Sequence, residues 1–254
     1  MKIRLVLLIS LLMLTLTLML LLAAPPLFAM SGREIMEKSE DLPRATTAAA
    51  KMLMKIHKGG RVIEKEFIIQ TKQLEGGADK ALISFIRPTK LKLLTHSHKE
   101  RPDDQWLCLS SGRIKRVVAS GRGKPFVNSH FYYEDLTAVD IDDYQFELIG
   151  EGEAAGAPCY RVEALNSPEE RVYDKLVFYV RRSDFFVQRI DFFRDGRLEK
   201  YLENRRVETI DGILTPCLAV MTRADGKGHT ELILKGVRYN IEIDSVKFEK
   251  AALR

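Results

Sequence analysis

Hydrophobic and polar positions along the chain fall into two periods. From Ser31 to Leu42 the period is helical: Ser31 can cap, Glu34 stands three residues later, and Ile35, Met36 and Leu42 share one apolar face before Pro43 ends it. After Pro43 the period shortens to two. Met52, Met54 and Ile56 alternate with Lys51, Lys55 and His57, and beyond Lys58-Gly59-Gly60-Arg61 the residues Ile63, Lys65, Phe67 and Ile69 again fall on one face. This predicts a hairpin of Thr47 to His57 with Val62 to Thr71.

Strand patterns then follow at short intervals: 81–87, 91–98, 105–110, 113–119, 145–150, 159–165, 175–180, 187–193, 198–207, 214–222 and 230–239. Turn sequences such as Glu75-Gly76-Gly77, Ser111-Gly112, Asp195-Gly196, Asp211-Gly212 and Asp225-Gly226 separate many of them. Many antiparallel strands joined by tight turns imply one curved sheet or barrel, not alternating β/α units. The exception is Gly121 to Asp143, which reads as a loop with a short helix around Tyr133-Glu134-Asp135-Leu136. A long irregular insertion in a regular sheet is uncommon unless it serves as a lid or binding loop. Phe126, Phe131, Tyr132, Tyr133 and Leu136 give this one apolar surface to press against the sheet.

The N-terminus changes the picture. Lys2 and Arg4 precede an uncharged stretch from Leu5 to Ala24, then Pro25, Pro26 and the small Ala29. A basic start, an apolar run and a small-residue exit predict a signal peptide over residues 1–29, with an uncleaved membrane anchor as the other reading. Either way residues 30–254 are expected outside the cytoplasm, as one domain. The chain of 254 residues carries 40 Lys+Arg against 35 Asp+Glu, and the leader takes two basic residues with it. Near-balanced charge and export argue against a nucleic-acid partner despite a pI of about 9.0. The doublets Lys115-Arg116, Arg181-Arg182 and Arg205-Arg206 are expected on solvated strand faces. Cys108, Cys159 and Cys217 lack CxxC spacing; one intrachain disulfide at most is available, and small buried hydrophobes are the simpler reading.

The segments Ile83-Ser84-Phe85-Ile86-Arg87-Pro88, Pro102 to Leu109, Arg113 to Val117, Phe131 to Leu136, Cys159 to Ala164, Gly228-His229 and Arg238-Tyr239-Asn240, in this order, resemble the outer-membrane lipoprotein-sorting protein family. That family is similar in fold to the periplasmic lipoprotein carrier and to the sigma-factor regulator sensor domain. The resemblance implies a mainly β (α+β) fold, a single curved, unclosed antiparallel β-barrel with an N-terminal helix and a short lid helix over a hydrophobic concavity. It also implies a periplasmic carrier that shelters acyl chains of a lipid or lipoprotein. Its partners would be those acyl chains, an inner-membrane export complex and an outer-membrane acceptor, with the protein a monomer and no cofactor. The polar residues that close the carrier's lid have no match here.

Independently of the resemblance, a methylene leaving an apolar shelter for water costs about 0.8 kcal/mol, so acyl transport needs a cavity, and inward-pointing residues of a curled sheet can supply one. Candidate ligand-binding residues are Phe67, Ile69, Phe85, Trp106, Tyr160, Val162, Phe178, Val180 and Phe192, although ordinary core packing would use the same pattern. Other chemistry is weakly signalled. His96-Ser97-His98 offers half a metal site without a third ligand, Asp140, Asp142 and Asp143 lack the Gly and Glu of a calcium loop, and no metal is expected. Ser129-His130 with Glu134 and Asp135 carries the enzyme alternative, a phospholipase-like ester hydrolase, but no GxSxG elbow occurs. A third alternative is an envelope lipid-sensing or export-accessory module.

Overall fold

The computed structural model describes residues 30–74, 79–98, 101–137, 141–166 and 172–253. The leader at 1–29, the Glu75-Gly76-Gly77 turn and Asp140 lie outside them. Among the described residues no helix is long and apolar enough to cross a membrane.

The predicted helix is α1 (Gly32–Glu40), whose buried Ile35 and Met36 face the sheet. Gly32 lets it approach closely, because a Cβ there would stand 2.7 Å from the backbone of Glu147. The strands are β1 (Thr47–Lys58), β2 (Arg61–Gln73), β3 (Asp79–Arg87), β4 (Lys92–His96), β5 (Asp104–Cys108) and β6 (Ile114–Val117). After the insertion come β7 (Tyr144–Ala154), β8 (Ala157–Asn166), β9 (Lys175–Arg181), β10 (Val187–Arg194), β11 (Arg197–Ile210), β12 (Ile213–Arg223) and β13 (His229–Tyr239). They form one 13-stranded antiparallel sheet in the order β6-β5-β4-β3-β2-β1-β13-β12-β11-β10-β9-β8-β7. Each strand pairs with its chain neighbour except at one seam, where β1 meets β13. β6 and β7, consecutive in the chain, form the two edges and do not pair, so the sheet is not closed.

Pleat alternation sorts the side chains onto two faces. On the inner face Met54, Ile56, Phe67, Ile83, Phe85 and Leu93 cluster around Phe126 of the insertion, with Met52, Ile69 and Leu107 beside them. On the outer face of β3–β6 Leu82, Leu94 and Cys108 pack beneath Ile243, Phe248 and Leu253, which follow β13 in two short 3-10 turns, Ser245–Phe248 and Lys250–Leu253.

The inserted segment contains a one-turn helix, α2 (Ala119–Arg122), and 3-10 turns at Phe126–Asn128, Glu134–Leu136 and Ile141–Asp143. The short lid helix expected around Glu134 is thus a single 3-10 turn. Its position shows how far the sheet curls. The Tyr133 carbonyl accepts from Gln105 Nε2 of β5 at 3.1 Å, while the adjacent Tyr132 ring lies under Lys200 of β11, with Nζ 3.5 Å from its centroid. Seven interstrand steps separate β5 from β11, roughly 34 Å across a flat sheet at ~4.8 Å per step. Two consecutive residues span that distance only because the sheet bends around them.

Candidate functional site

The site is the inner hollow and the lid, residues 125–137, that lies in it. One half of the lid is an aromatic plug. Phe126 is almost fully buried against Phe85, with ring centroids 5.7 Å apart, and Tyr133 meets it edge-on at 5.4 Å. Phe131 and Tyr132, also buried, face the other half, Phe131 toward Leu176, Ile190 and Phe192 and the Tyr132 ring under Lys200.

The other half is a polar latch. Lys200 Nζ donates to Asp135 Oδ2 at 2.6 Å and to the His130 carbonyl at 3.1 Å. Both side chains of this ion pair are shut off from solvent, at 1% and 3% exposure. Asp135 also accepts from the Tyr132 backbone N–H and from the Tyr173 hydroxyl, each at 2.6 Å, while the Tyr132 hydroxyl donates to Glu199 at 2.6 Å. The His130 backbone N–H donates to Thr230 Oγ1 of β13 at 3.1 Å, and its Nδ1 lies 2.8 Å from the same oxygen.

Burial sets the proton affinities here. It pulls the Lys200 ammonium below the usual lysine range, a tendency opposed by Asp135. Burial, then Glu199, pushes the Tyr132 hydroxyl up to about 12, and burial with Asp135 raises Tyr173 further. His130 is lowered to about 4, first by burial and then by nearby cations, so it is neutral at pH 7. The latch is nevertheless not fully satisfied: Gln105 Oε1 and Glu199 Oε2 are buried without a hydrogen-bond partner in the protein. Such atoms weaken the seated arrangement, because each is buried away from water without a partner.

Two cavities flank the 134–137 turn. One of about 90 Å³ runs between Phe131, Asp135 and Thr137 and the inner residues Leu176, Ile190 and Phe192. The second, about 210 Å³, opens between Leu136, Thr137, Thr95, Ala81 and Lys80. Pockets that enclose small organic ligands run to roughly 300–1,000 Å³. With the lid seated, both cavities fall below that range, and the lid's own aromatics occupy the inner face beside them.

The predicted inner residues separate into two groups. Phe67, Ile69 and Phe85 lie under Phe126. Phe192 lines the smaller cavity, and the register pairs Ile190 with Phe178, Phe178 with Val162 and Val180 with Tyr160, placing these on the same face. Trp106 is the exception and is corrected: it pairs with Leu94 and Arg116 and packs on the outer face beneath the C-terminal turns, with its ring edge-on to His96. Strand parity decides this, since Gln105 and Leu107 take the inward positions. The latch residue Lys200 has no sequence signal beyond a lysine in the alternation of β11; Asp135 falls in the predicted lid helix, in the segment carrying the resemblance and among the hydrolase candidates, but no local pattern ties it to residue 200.

The other sequence candidates go to local partners. Ser129 Oγ accepts from Phe131 N–H at 3.1 Å and His130 turns to Thr230, so the two do not form a nucleophile–base pair. Asp142 pairs with Arg33 at 2.6 Å. His96 Nε2 contacts the Phe248 carbonyl at 2.7 Å and His98 faces Asp104 at 3.3 Å. A different trio, His57, His229 and Glu231, converges at the β1–β13 seam. Arg116, Arg181, Arg182, Arg205 and Arg206 from the basic doublets each pair with a carboxylate. The three cysteines are free and buried.

This unclosed antiparallel sheet with its lidded, apolar hollow is a fold shared with a LolA superfamily protein. A family model described as "-like: Uncharacterized protein" matches residues 77–254, more than half of the chain, and the chain belongs to that family. It is similar to a DUF1329 family protein from Desulfovibrio piger ATCC 29098, with 27% identity over 88% of this chain and 98% of the other and a TM-score of 0.84. A domain from Vibrio parahaemolyticus, provisionally assigned to outer-membrane lipoprotein sorting, has 26% identity over 87% and 97% of the two chains, TM-score 0.81. A LolA superfamily protein from Nitrosomonas europaea shares the fold at TM-score 0.69, with 18% identity over 89% and 100%. No curated protein sequence matches the chain.

Proposed function

We propose that this protein is a periplasmic carrier that shelters acyl chains of a lipid or lipoprotein in the hollow of its sheet. The observation that carries the reading is the lid. One segment both presses Phe126 and Tyr133 into the apolar inner face and is tied to the far wall by a buried ion pair, Lys200–Asp135. A segment built only to complete a core would not need its polar half held by a charge pair, whose burial is costly and seldom adds net stability over apolar packing. The described state is the closed one, and loading displaces the lid aromatics with acyl methylenes of similar apolarity.

The similarity to the Vibrio parahaemolyticus domain supports lipoprotein sorting as the setting, with an inner-membrane donor and an outer-membrane acceptor as partners. The apolar run of residues 1–29 supports export. The test is uptake of a fluorescent fatty acyl probe by the purified protein, together with native mass spectrometry of what co-purifies. Saturable, stoichiometric uptake is expected, competed by phospholipid or triacylated peptide. No bound lipid and no uptake would refute the carrier reading.

A further inference from the structure

We propose that the outer face of the β1–β13 seam carries a binding site for a divalent transition-metal ion of the Zn²⁺ class, built from His57, His229 and Glu231. His57 and His229 are directly opposed in the register, and their rings stack with centroids 4.2 Å apart and an interplanar angle of 12°. Glu231, two residues along β13 and so on the same face, stands with Oε2 3.7 Å from His57 Nε2 and Oε1 3.8 Å from His229 Nε2. One ligand atom from each lies within 4.8 Å of the others. Around a tetrahedral Zn²⁺ with bonds of ~2.0–2.1 Å, neighbouring ligand atoms sit about 3.3 Å apart. Closing the set from within 4.8 Å to that spacing takes at most about 1.5 Å, within reach of side-chain rotation at half-buried residues.

Two further features point to a ligand. His57 Nε2, the atom turned toward Glu231, is buried and without a hydrogen-bond partner in the protein, although the residue as a whole is half-buried and open to ions from solution. The stacking also aligns the two rings along one side of the seam, so that both imidazoles and the carboxylate meet at one place. The backbone is shaped to bring them together. Gly228 has φ +139°, and a Cβ there would lie 2.3 Å from the His57 carbonyl, so only glycine lets β13 start this close to the end of β1. Two nitrogens and one carboxylate oxygen suit Zn²⁺ and its neighbours in the first row, and not Ca²⁺ or Mg²⁺.

The location gives the ion a consequence. The seam joins the first and last strands, and Thr230, which anchors the lid through His130, sits between two of the ligands on the opposite face. An ion on the outer face therefore fixes the residue that holds the lid on the inner one.

The test is calorimetric titration of ZnCl₂ into the EDTA-stripped and dialysed protein, paired with thermal unfolding. One saturable site of micromolar Kd or tighter is expected, with a rise in Tm of several degrees. His57→Asn and His229→Asn should each weaken binding at least tenfold while leaving the Tm in EDTA nearly unchanged. Glu231→Gln, which retains the side-chain shape, should do the same and serves if a histidine variant folds poorly. Mg²⁺ should not compete. Absence of saturable binding, or binding that survives all three substitutions and is lost only in a His96→Asn/His98→Asn variant, would overturn the proposal.

Discussion

Lys200 is the residue on which the lid's closure turns, and its environment sets the size of the effect. Removing one partner of a buried pair costs about 3–5 kcal/mol, because the other charge is left without compensation. Lys200→Met should therefore lower stability by about that much in urea unfolding, or speed amide exchange across residues 126–136 by about two to four orders of magnitude if the lid alone opens. Lys200→Met with Asp135→Asn should recover most of the loss. His130 makes a pH prediction. Its native pKa of about 4 lies below the ordinary 6.5, so the unfolded chain binds the proton first as pH falls. Stability from its burial is fully present above pH 6.5 and is lost down to pH 4, by roughly 3 kcal/mol. Its cationic surroundings, Arg223, Lys58, His229 and Lys200, act in the same direction. His130→Gln should flatten that window in urea titrations at pH 7, 5.5 and 4.5. At this scale the sequence was a partial guide. Alternation placed Phe67, Phe85 and Val162 inward, but β5 offered Trp106 and Gln105 on opposite parities, and size was a poorer indicator than pleat. Lys200 is one lysine among many until the fold brings residue 135 to it.

Among the elements, the strands were legible because hydrophobic alternation and Gly-containing turns report the same local geometry. The β7–β8 turn was less so: the bulge at Gly150 breaks the alternation that would have carried β7 to Ala154. The lid was recognisable as an interruption, but its conformation is dictated by what it packs on, and a 3-10 turn has no period of its own to read. Its dual nature gives a separable prediction. Phe126→Ala should cost about 3–5 kcal/mol by emptying a packed site. If the hollow takes acyl chains, the same variant should bind the fluorescent acyl probe faster and at least as tightly as the wild type, and added probe should restore part of its Tm. A plain core residue would give the destabilisation without the rescue.

For the whole molecule, one curved antiparallel sheet followed from the number and spacing of strands, but the seam that joins β1 to β13 did not, nor did the turns after β13 that cover β3–β6. Contacts between residues some 170 positions apart leave no local pattern, which is why His57 and His229 were overlooked while the adjacent His96 and His98 drew attention. Phe248 tests the coverage: Phe248→Ala should cost about 3–5 kcal/mol, with hydrogen exchange in β4, β5 and β6 rising before that in β11–β13.

The unpaired edges of β6 and β7 have a mechanical meaning. In a closed barrel the strand number and stagger fix the girth, and a larger cargo requires ladder hydrogen bonds to break. Here the two edges can part while every strand keeps its neighbours, so the hollow is built as a split ring: if it takes acyl chains as proposed, its capacity can follow its contents without breaking the ladder.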